Sequence, residues 1–359
     1  MLLHRLTRLG LLAAALMSGL ANLPARAADE VSFPPVSFQG KTITMIIGYG
    51  AGGRIDVHGR VDAAALAQRL PGNPTIIVRN ILGADGIVAL NVFFTQAKPD
   101  GLTIAEVGAS QIDPLQFLKA KATYDVAKLV LVGGNAHSGT ALVMRTDALP
   151  RLNDKSKPPV IMGALSAVRT GMQATLWGGE YLGWNAKWVL GYPATKALVL
   201  AVEKGEIDMT SFSEIEDVKR LKATGNFMVV GQTGYLKDGK LTPRAEYDAP
   251  VLSSLVGDKI TDPLAQRAFA YWKSITQIGE FIALPPDTPQ PIVAAYRKAF
   301  EDAVLDPEFK ARINGTGEEF LPQHADALTV LLSTIGNTPR EALGYLSDIA
   351  KKQGLNLGE

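Results

Sequence analysis

The sequence predicts an α/β protein of two lobes, each a sheet layered with helices. Three observations predict it. β-Branched apolar runs alternate with stretches of helical periodicity, once across residues 42–107 and again across 160–230. Glycine-rich turns close the runs. The chain of 359 residues is also longer than a single core supports, which is roughly 250–300 residues.

In chain order, Thr42–Gly48 is an apolar run ending in glycines, read as a buried strand. Val57–Leu70 carries Val61, Ala65 and Leu66 at helical spacing, and Pro71-Gly72-Asn73-Pro74 turns the chain. Thr75–Val78 is the second strand, Gly86–Ala97 the second helix and Leu102–Val107 the third strand, entered through Pro99-Asp100-Gly101. Strand–helix alternation of this kind implies a parallel sheet with helices on its faces. The later series has strands at Val160–Met162, Lys187–Leu190, Ile207–Ser211 and Phe227–Val230, with helices at Thr170–Tyr181 and Thr195–Lys204. Lys237–Pro250, charged and proline-containing, is expected to be a surface connection. Leu264–Ile275 reads as a helix and Gly279–Leu284 as a strand. Thr288 and Pro289 are placed to start the amphipathic Pro291–Leu305 helix as N-cap and first residue, and Ala325–Gln353 reads as largely helical.

The N-terminus sets the expected compartment. Arg5 and Arg8 precede the apolar run Leu9–Leu20, and Pro24 precedes Ala25-Arg26-Ala27, a small-x-small site. This is the layout of a cleaved secretory signal, residues 1–27. The apolar run falls short of the roughly 20 residues that span a bilayer. Removing it takes three of the 36 basic residues, leaving 33 against 35 acids and a net charge of −2. No clustered basic face points to nucleic acid. With no cysteine, disulfides and thiolate metal sites are excluded, and a retained lipid anchor has nothing to acylate. His58, His137 and His324 have no metal-ligand spacing, so neither metal nor resident cofactor is expected.

Gly48-Tyr49-Gly50-Ala51-Gly52-Gly53, between first strand and first helix, matches G-x-G-x-x-G. Three readings stand. It is a dinucleotide fingerprint, an anion site built from backbone N–H groups and a helix N-terminus, or a tight turn without a ligand. A ribose-binding acid should follow the second strand in the first reading; Arg79-Asn80 stands there instead. A second loop, Gly83-Ala84-Asp85-Gly86, follows the second strand. In a parallel sheet the two loops face one crevice beyond the strand ends.

Around these loops, Asp56 is placed to cap the first helix or to meet a ligand, and Arg54 to pair with a carboxylate or to stand solvated. Arg60, on the helix, reads as structural. The polar loop Asn135–Gly139, with His137, is placed to line the crevice. Ser166 to Gly171 follows a strand and opens a helix of the second lobe, so Ser166, Thr170 and Gly171 either close from the other side or simply cap that helix. Ser110 and Ser211 complete the candidates. Trp177, Trp184 and Trp188 read mainly as core.

These landmarks in order resemble the solute-binding receptors of tripartite tricarboxylate transporters, the Bug family. The residues carrying the resemblance are Gly50-Ala51-Gly52-Gly53 with Asp56 and Arg60, Asn80, Gly83 to Gly86 with Asn91, and Pro99-Asp100-Gly101-Leu102-Thr103. It continues with Gly191-Tyr192, Glu203 to Asp208 and Leu284-Pro285-Pro286-Asp287-Thr288-Pro289. The resemblance implies a two-domain type II periplasmic-binding (Venus-flytrap) fold with hinge-crossing strands near Ala141–Arg145 and Val229–Thr233. Residues 28–143 and 232–359 would form one domain and 144–231 the other. It also implies a monomeric periplasmic receptor, not an enzyme, that delivers a small organic acid to membrane subunits of such a transporter. By position, Gly50, Ala51, Gly52, Asp56, Gly83 and Ala84 would hold a carboxylate, with Ser166, Thr170 and Gly171 opposite. Arg54, His58 and Asp85 depart from the family's pattern. Arg54 and Asp85 put opposite charges at the crevice mouth, either pairing with each other or shifting preference away from plain dicarboxylates. An exported enzyme with a nucleotide-type cofactor, and a sensory module serving a two-component system, are the rival functions.

Overall fold

A computed structural model of the chain describes residues 36–117, 122–165, 170–237, 240–315 and 319–355. The expected signal, residues 1–27, and Ser166 lie outside the described residues. The strands are β1 (Thr42–Ile47), β2 (Thr75–Asn80), β3 (Thr103–Gly108), β4 (Val130–Ala136), β5 (Ala141–Arg145), β6 (Val160–Ala164) and β7 (Ala186–Leu190). They continue with β8 (Met209–Phe212), β9 (Phe227–Gln232), β10 (Tyr235–Lys237), β11 (Lys240–Thr242), β12 (Ile278–Leu284) and β13 (Pro322–His324).

Among the described residues these form two main sheets, in the orders β13-β4-β12-β3-β1-β2 and β7-β6-β8-β5-β9, and a β10-β11 hairpin. Both sheets are mixed, which corrects the expectation of a parallel sheet. β2-β1-β3 and β7-β6-β8 are parallel. β12 runs antiparallel to β3 and β4, and β5 antiparallel to β8 and β9. Strand–helix–strand units force neighbours parallel. The chain reaches β5 and β12 by leaving one sheet for the other, so no such unit sets their direction.

The Arg54–Arg69 helix covers one face of the first sheet. It starts three residues before the expected Val57. Gly59 sits in its middle, where glycine costs about 1 kcal/mol relative to alanine. The reason is close approach: a Cβ there would lie 2.6 Å from Ile47 Cδ1 and 3.1 Å from Glu106 Cγ. The helix therefore presses directly onto β1 and β3.

Between the sheets the chain passes through His137–Thr140. Thr140 N–H donates to Thr233 Oγ1 (2.8 Å), and Thr233 N–H donates back to Thr140 O (3.0 Å). Tyr247 Oη donates to Gly139 O, and Arg244 Nε to Ser138 O. Tyr247 and Arg244 are buried, so Lys237–Pro250 is more than the expected surface connection: it supplies the inner partners of the crossing segment.

Two helix boundaries differ from expectation. Thr288 does not cap the Gln290–Val304 helix; its hydroxyl donates to Pro285 O (2.7 Å) within the preceding turn, and Pro289 takes the cap position. Ala325–Gln353 divides into Ala325–Gly336 and Arg340–Lys352. The residue before Pro339 is pushed out of the helical region, which accounts for the break.

The last helix returns to the second sheet's side and packs on the Thr170–Tyr181 helix. Tyr181 and Tyr345 hydroxyls bond at 2.7 Å, Trp188 Nε1 donates to Gln353 O, and Gln353 Nε2 donates to Leu176 O. Trp177 is fully buried there, stacked on Tyr181 and Tyr345 and edge-on to Phe269. Trp177→Ala should lower unfolding free energy by about 3–5 kcal/mol in chemical denaturation, the usual cost of truncating a buried indole.

Candidate ligand-binding cleft

The first glycine loop is held from beneath. Asp56, in the first turn of the Arg54–Arg69 helix, is 2 % exposed. Its Oδ2 accepts Gly52 N–H (2.8 Å) and Arg60 Nε (2.9 Å). Its Oδ1 accepts Arg60 Nη2 (2.9 Å) and Asn80 Nδ2 (2.7 Å). Asn80, ending β2, also donates to Tyr49 O (2.8 Å). The loop after β1, the end of β2 and the helix are thus tied by one carboxylate. Burial pushes Asp56 up, but the bonds from Arg60, Asn80 and Gly52 outweigh it and hold it at about 2. The helix cap itself is Gly53, without a side-chain bond.

The second loop is shaped by backbone conformation. Ala84 and Asp85 have φ of 48° and 49°, in the left-handed region, costly for alanine and tolerable for aspartate. The two loops touch: a Cβ on Gly48 would lie 2.6 Å from Gly86 Cα. Gln111 links them to β3, donating to Gly86 O (3.0 Å) and accepting Gly108 N–H (2.8 Å).

Above the loops lies a cleft of ≈ 700 Å³. One wall is Tyr49, Gly50, Ala51, Gly53, Arg54, Asp85 and Ser110; the other includes Leu165, Gly171, Thr195, Ser211, Ser213 and Glu214. His137 and Thr140, in the crossing segment, and Gly279, in β12, close the back. Most of these groups stand beyond the C-terminal ends of parallel strands, where open α/β sheets bind ligands. Three helices open onto it, at Arg54, Thr170 and Thr195, bringing the positive ends of their dipoles together. A separate groove of ≈ 650 Å³ lined by Leu241, Pro243, Val251, Ile260, Phe269 and Lys273 has no such convergence.

Of the predicted residues, Gly50, Ala51, Gly53, Arg54, Asp85, Ser110, His137, Gly171 and Ser211 line the cleft. Gly52, Asp56, Gly83 and Ala84 are not among its lining; Asp56 is turned inward to the loop, and Gly83 packs against Val88. Thr170 opens the helix that carries Gly171. Trp177 and Trp184 are core, and Trp188 is spent on Gln353.

Sequence reasoning missed Tyr49, Thr140, Thr195, Ser213, Glu214 and, above all, Glu280. Glu280 stands on β12, 1 % exposed. Arg54 Nη1 donates to its Oε2, and His58 Nδ1 meets its Oε1 at 2.5 Å. Glu280 is therefore a partner of Arg54 that sequence reasoning did not anticipate. Asp62 and Glu106 lie buried in the same cluster. Burial raises Asp62 to about 7, helped by Glu280's charge, and raises Glu106 well above the carboxylate range. Burial also pushes Glu280 up, but Arg54's charge and His58's bond overcome it and bring it to about 2. Burial pushes His58 down, and the bond and charge of Glu280 raise it overall. A signal existed: TIAEVG and IGEFIAL each hold one acid inside an apolar run, and a buried charge requires partners.

No family model matches the chain. A UPF0065 protein from Cupriavidus necator is 38% identical over 104 residues, 29% of this chain and 29% of that protein. Among solved structures, a TctC solute-binding protein from Polaromonas has TM-score 0.65 at 19% identity, covering 88% of this chain and 100% of that one. The periplasmic binding protein BugD has TM-score 0.56 at 19% identity, covering 88% and 98%. MatC from Rhodopseudomonas palustris, solved with malate, has TM-score 0.53 at 18% identity, covering 86% and 98%. The architecture is that of the TctC- and Bug-type periplasmic solute-binding proteins, as the sequence resemblance implied.

Asp56→Asn should lower stability at pH 7 by about 1–3 kcal/mol, the worth of hydrogen bonds to a charged group. Because Asp56 is depressed below its ordinary 3.8, its contribution is present above pH 4 and lost as pH falls towards about 2. Denaturant unfolding of variant and wild type should therefore converge near pH 2.

Proposed function

We propose that the chain is a periplasmic solute-binding receptor that captures a small organic anion between two domains and delivers it to the membrane subunits of a tripartite tricarboxylate-type transporter. One observation carries the reading: three helix N-termini and the Arg54 guanidinium converge on a single cleft of ≈ 700 Å³. Oriented backbone dipoles and a guanidinium recognise carboxylates without a protein cation for each oxygen. The malate in MatC supports a carboxylate. The second domain is 144–231, the first 28–143 with 232–359, and closure occurs about the Thr140–Thr233 crossing after removal of residues 1–27. The receptor acts as a monomer and needs no cofactor.

Ligand contacts are assigned to Gly50, Ala51, Gly53, Arg54, Asp85, Ser110 and His137 on one side and Gly171 and Ser211 on the other. Asp56 acts by holding the loop. Asp85 and Glu214, both exposed on the cleft, favour an acid that also carries an amino or hydroxyl group. A dinucleotide is disfavoured, because the residue ending β2 is Asn80, which is committed to Tyr49 and Asp56.

Isothermal titration with malate, citrate, glutamate, benzoate, a neutral sugar and NAD should give saturable one-to-one heat with at least one of the acids. Heat only with the sugar or with NAD would overturn the anion reading.

A further inference from the structure

Arg54 serves two masters in this structure. Its side chain is 37% exposed on the cleft wall, yet it donates to Glu280, whose side chain is 1% exposed. On its other oxygen Glu280 meets His58, itself buried. We propose that Glu280 is a specificity-determining internal counter-anion: it holds Arg54 in the empty cleft, yields that guanidinium to the ligand carboxylate on capture, and is then neutralised by a proton on His58. The inference rests on the anion reading above and deepens it.

The geometry that supports this is a stack of charges. Glu280 and Glu106 lie on one face of the sheet, since Glu106 pairs with Ile282 and Gly108 with Glu280 across β3 and β12. The Arg54–Arg69 helix lays Arg54, His58 and Asp62 over that face at intervals of four. β4 adds Asn135, whose Nδ2 is 3.5 Å from Glu280 Oε1. Among the described residues neither carboxylate oxygen of Glu106 has a hydrogen-bond partner, and burial favours its protonated form. Glu280 is thus the carboxylate in the cluster with a guanidinium on the oxygen facing the cleft and an imidazole on the oxygen facing the interior. When an incoming carboxylate draws Arg54 outward, an uncompensated buried anion is expensive. Protonation of His58 is the nearest remedy: the imidazole takes one proton from solvent and the imidazolium then balances Glu280 across the Nδ1 contact. His58 already sits above its ordinary value through Glu280, against the opposing pull of burial and of Arg54's charge. Weakening the Arg54–Glu280 contact strengthens that effect.

Capture should therefore take up a proton at alkaline pH, and affinity should fall as pH rises. One whole proton weakens binding about tenfold per pH unit, so a partial uptake makes the ligand about 3- to 10-fold weaker at pH 8.5 than at 6.5. The test titrates the purified chain with malate, citrate, glutamate and benzoate at pH 8.5 in buffers of low and high ionisation enthalpy. Wild type should show buffer-dependent heat corresponding to proton uptake. Glu280→Gln should bind at least as tightly, with neither uptake nor pH dependence. Arg54→Ala, a change on the cleft wall, should bind about 10- to 100-fold more weakly, as expected for a lost hydrogen bond to a charged group. Thermal unfolding confirms that each variant is folded, and His58→Gln gives a second route to the loss of uptake if Glu280→Gln is not. Wild-type binding without proton uptake, uptake retained in Glu280→Gln, or unchanged affinity in Arg54→Ala would each overturn the inference. Absence of binding by every acid would overturn the anion reading itself, and this inference with it.

Discussion

The contact between the Asp56 carboxylate and the Gly52 amide holds the cleft floor in place. Left alone, a glycine loop between a strand and a helix samples many conformations. Here one carboxylate accepts from the loop, from Arg60 one turn along the helix and from Asn80 at the end of the neighbouring strand. Four charge-assisted bonds converge on two oxygens, so loop, helix and β2 move as a unit. The helix N-terminus then faces the cleft at a fixed angle, and the second loop packs on the first through Gly48 and Gly86. The cleft-facing backbone is held by a side chain that does not itself line the cleft.

A second layer of charge lies under the same helix, and its logic differs. Asp56 is neutralised by groups on the solvent side and is settled. Glu280 is neutralised partly by a residue that also lines the cleft, and so its electrostatic state is linked to whatever occupies the cleft. Asp62 and Glu106, buried in the same cluster, avoid the cost of buried charge by being pushed towards the protonated form. The helix therefore carries a firm anchor on one face and a responsive cluster on another, brought close to the sheet by Gly59.

Local patterns were legible where a few adjacent residues determine the outcome. Both glycine loops and the strand–helix series of each lobe could be read from residue type and spacing, whereas the crossing regions came only from the family resemblance. What escaped was set by distance in the chain. Glu280 is 222 residues from His58, and no local period connects them. β12 reads as an apolar strand, and only its single acid hints at a partner elsewhere. The antiparallel entry of β5 and β12 depends on the chain changing sheets, which periodicity does not report. Tyr247 and Arg244 sit in a segment whose charges and prolines suggest surface, yet their side chains fill the crossing from inside.

The central claim is that an anion is held between the first glycine loop and the opposing helix ends. A crystal structure of the protein with an acid that binds in solution tests it most directly. The account predicts a carboxylate within hydrogen-bond distance of the Gly50–Gly53 backbone and Arg54, with the second lobe closed over it through Gly171 and Ser211. A carboxylate bound instead in the groove between Leu241 and Lys273, with the cleft holding only solvent, would contradict it.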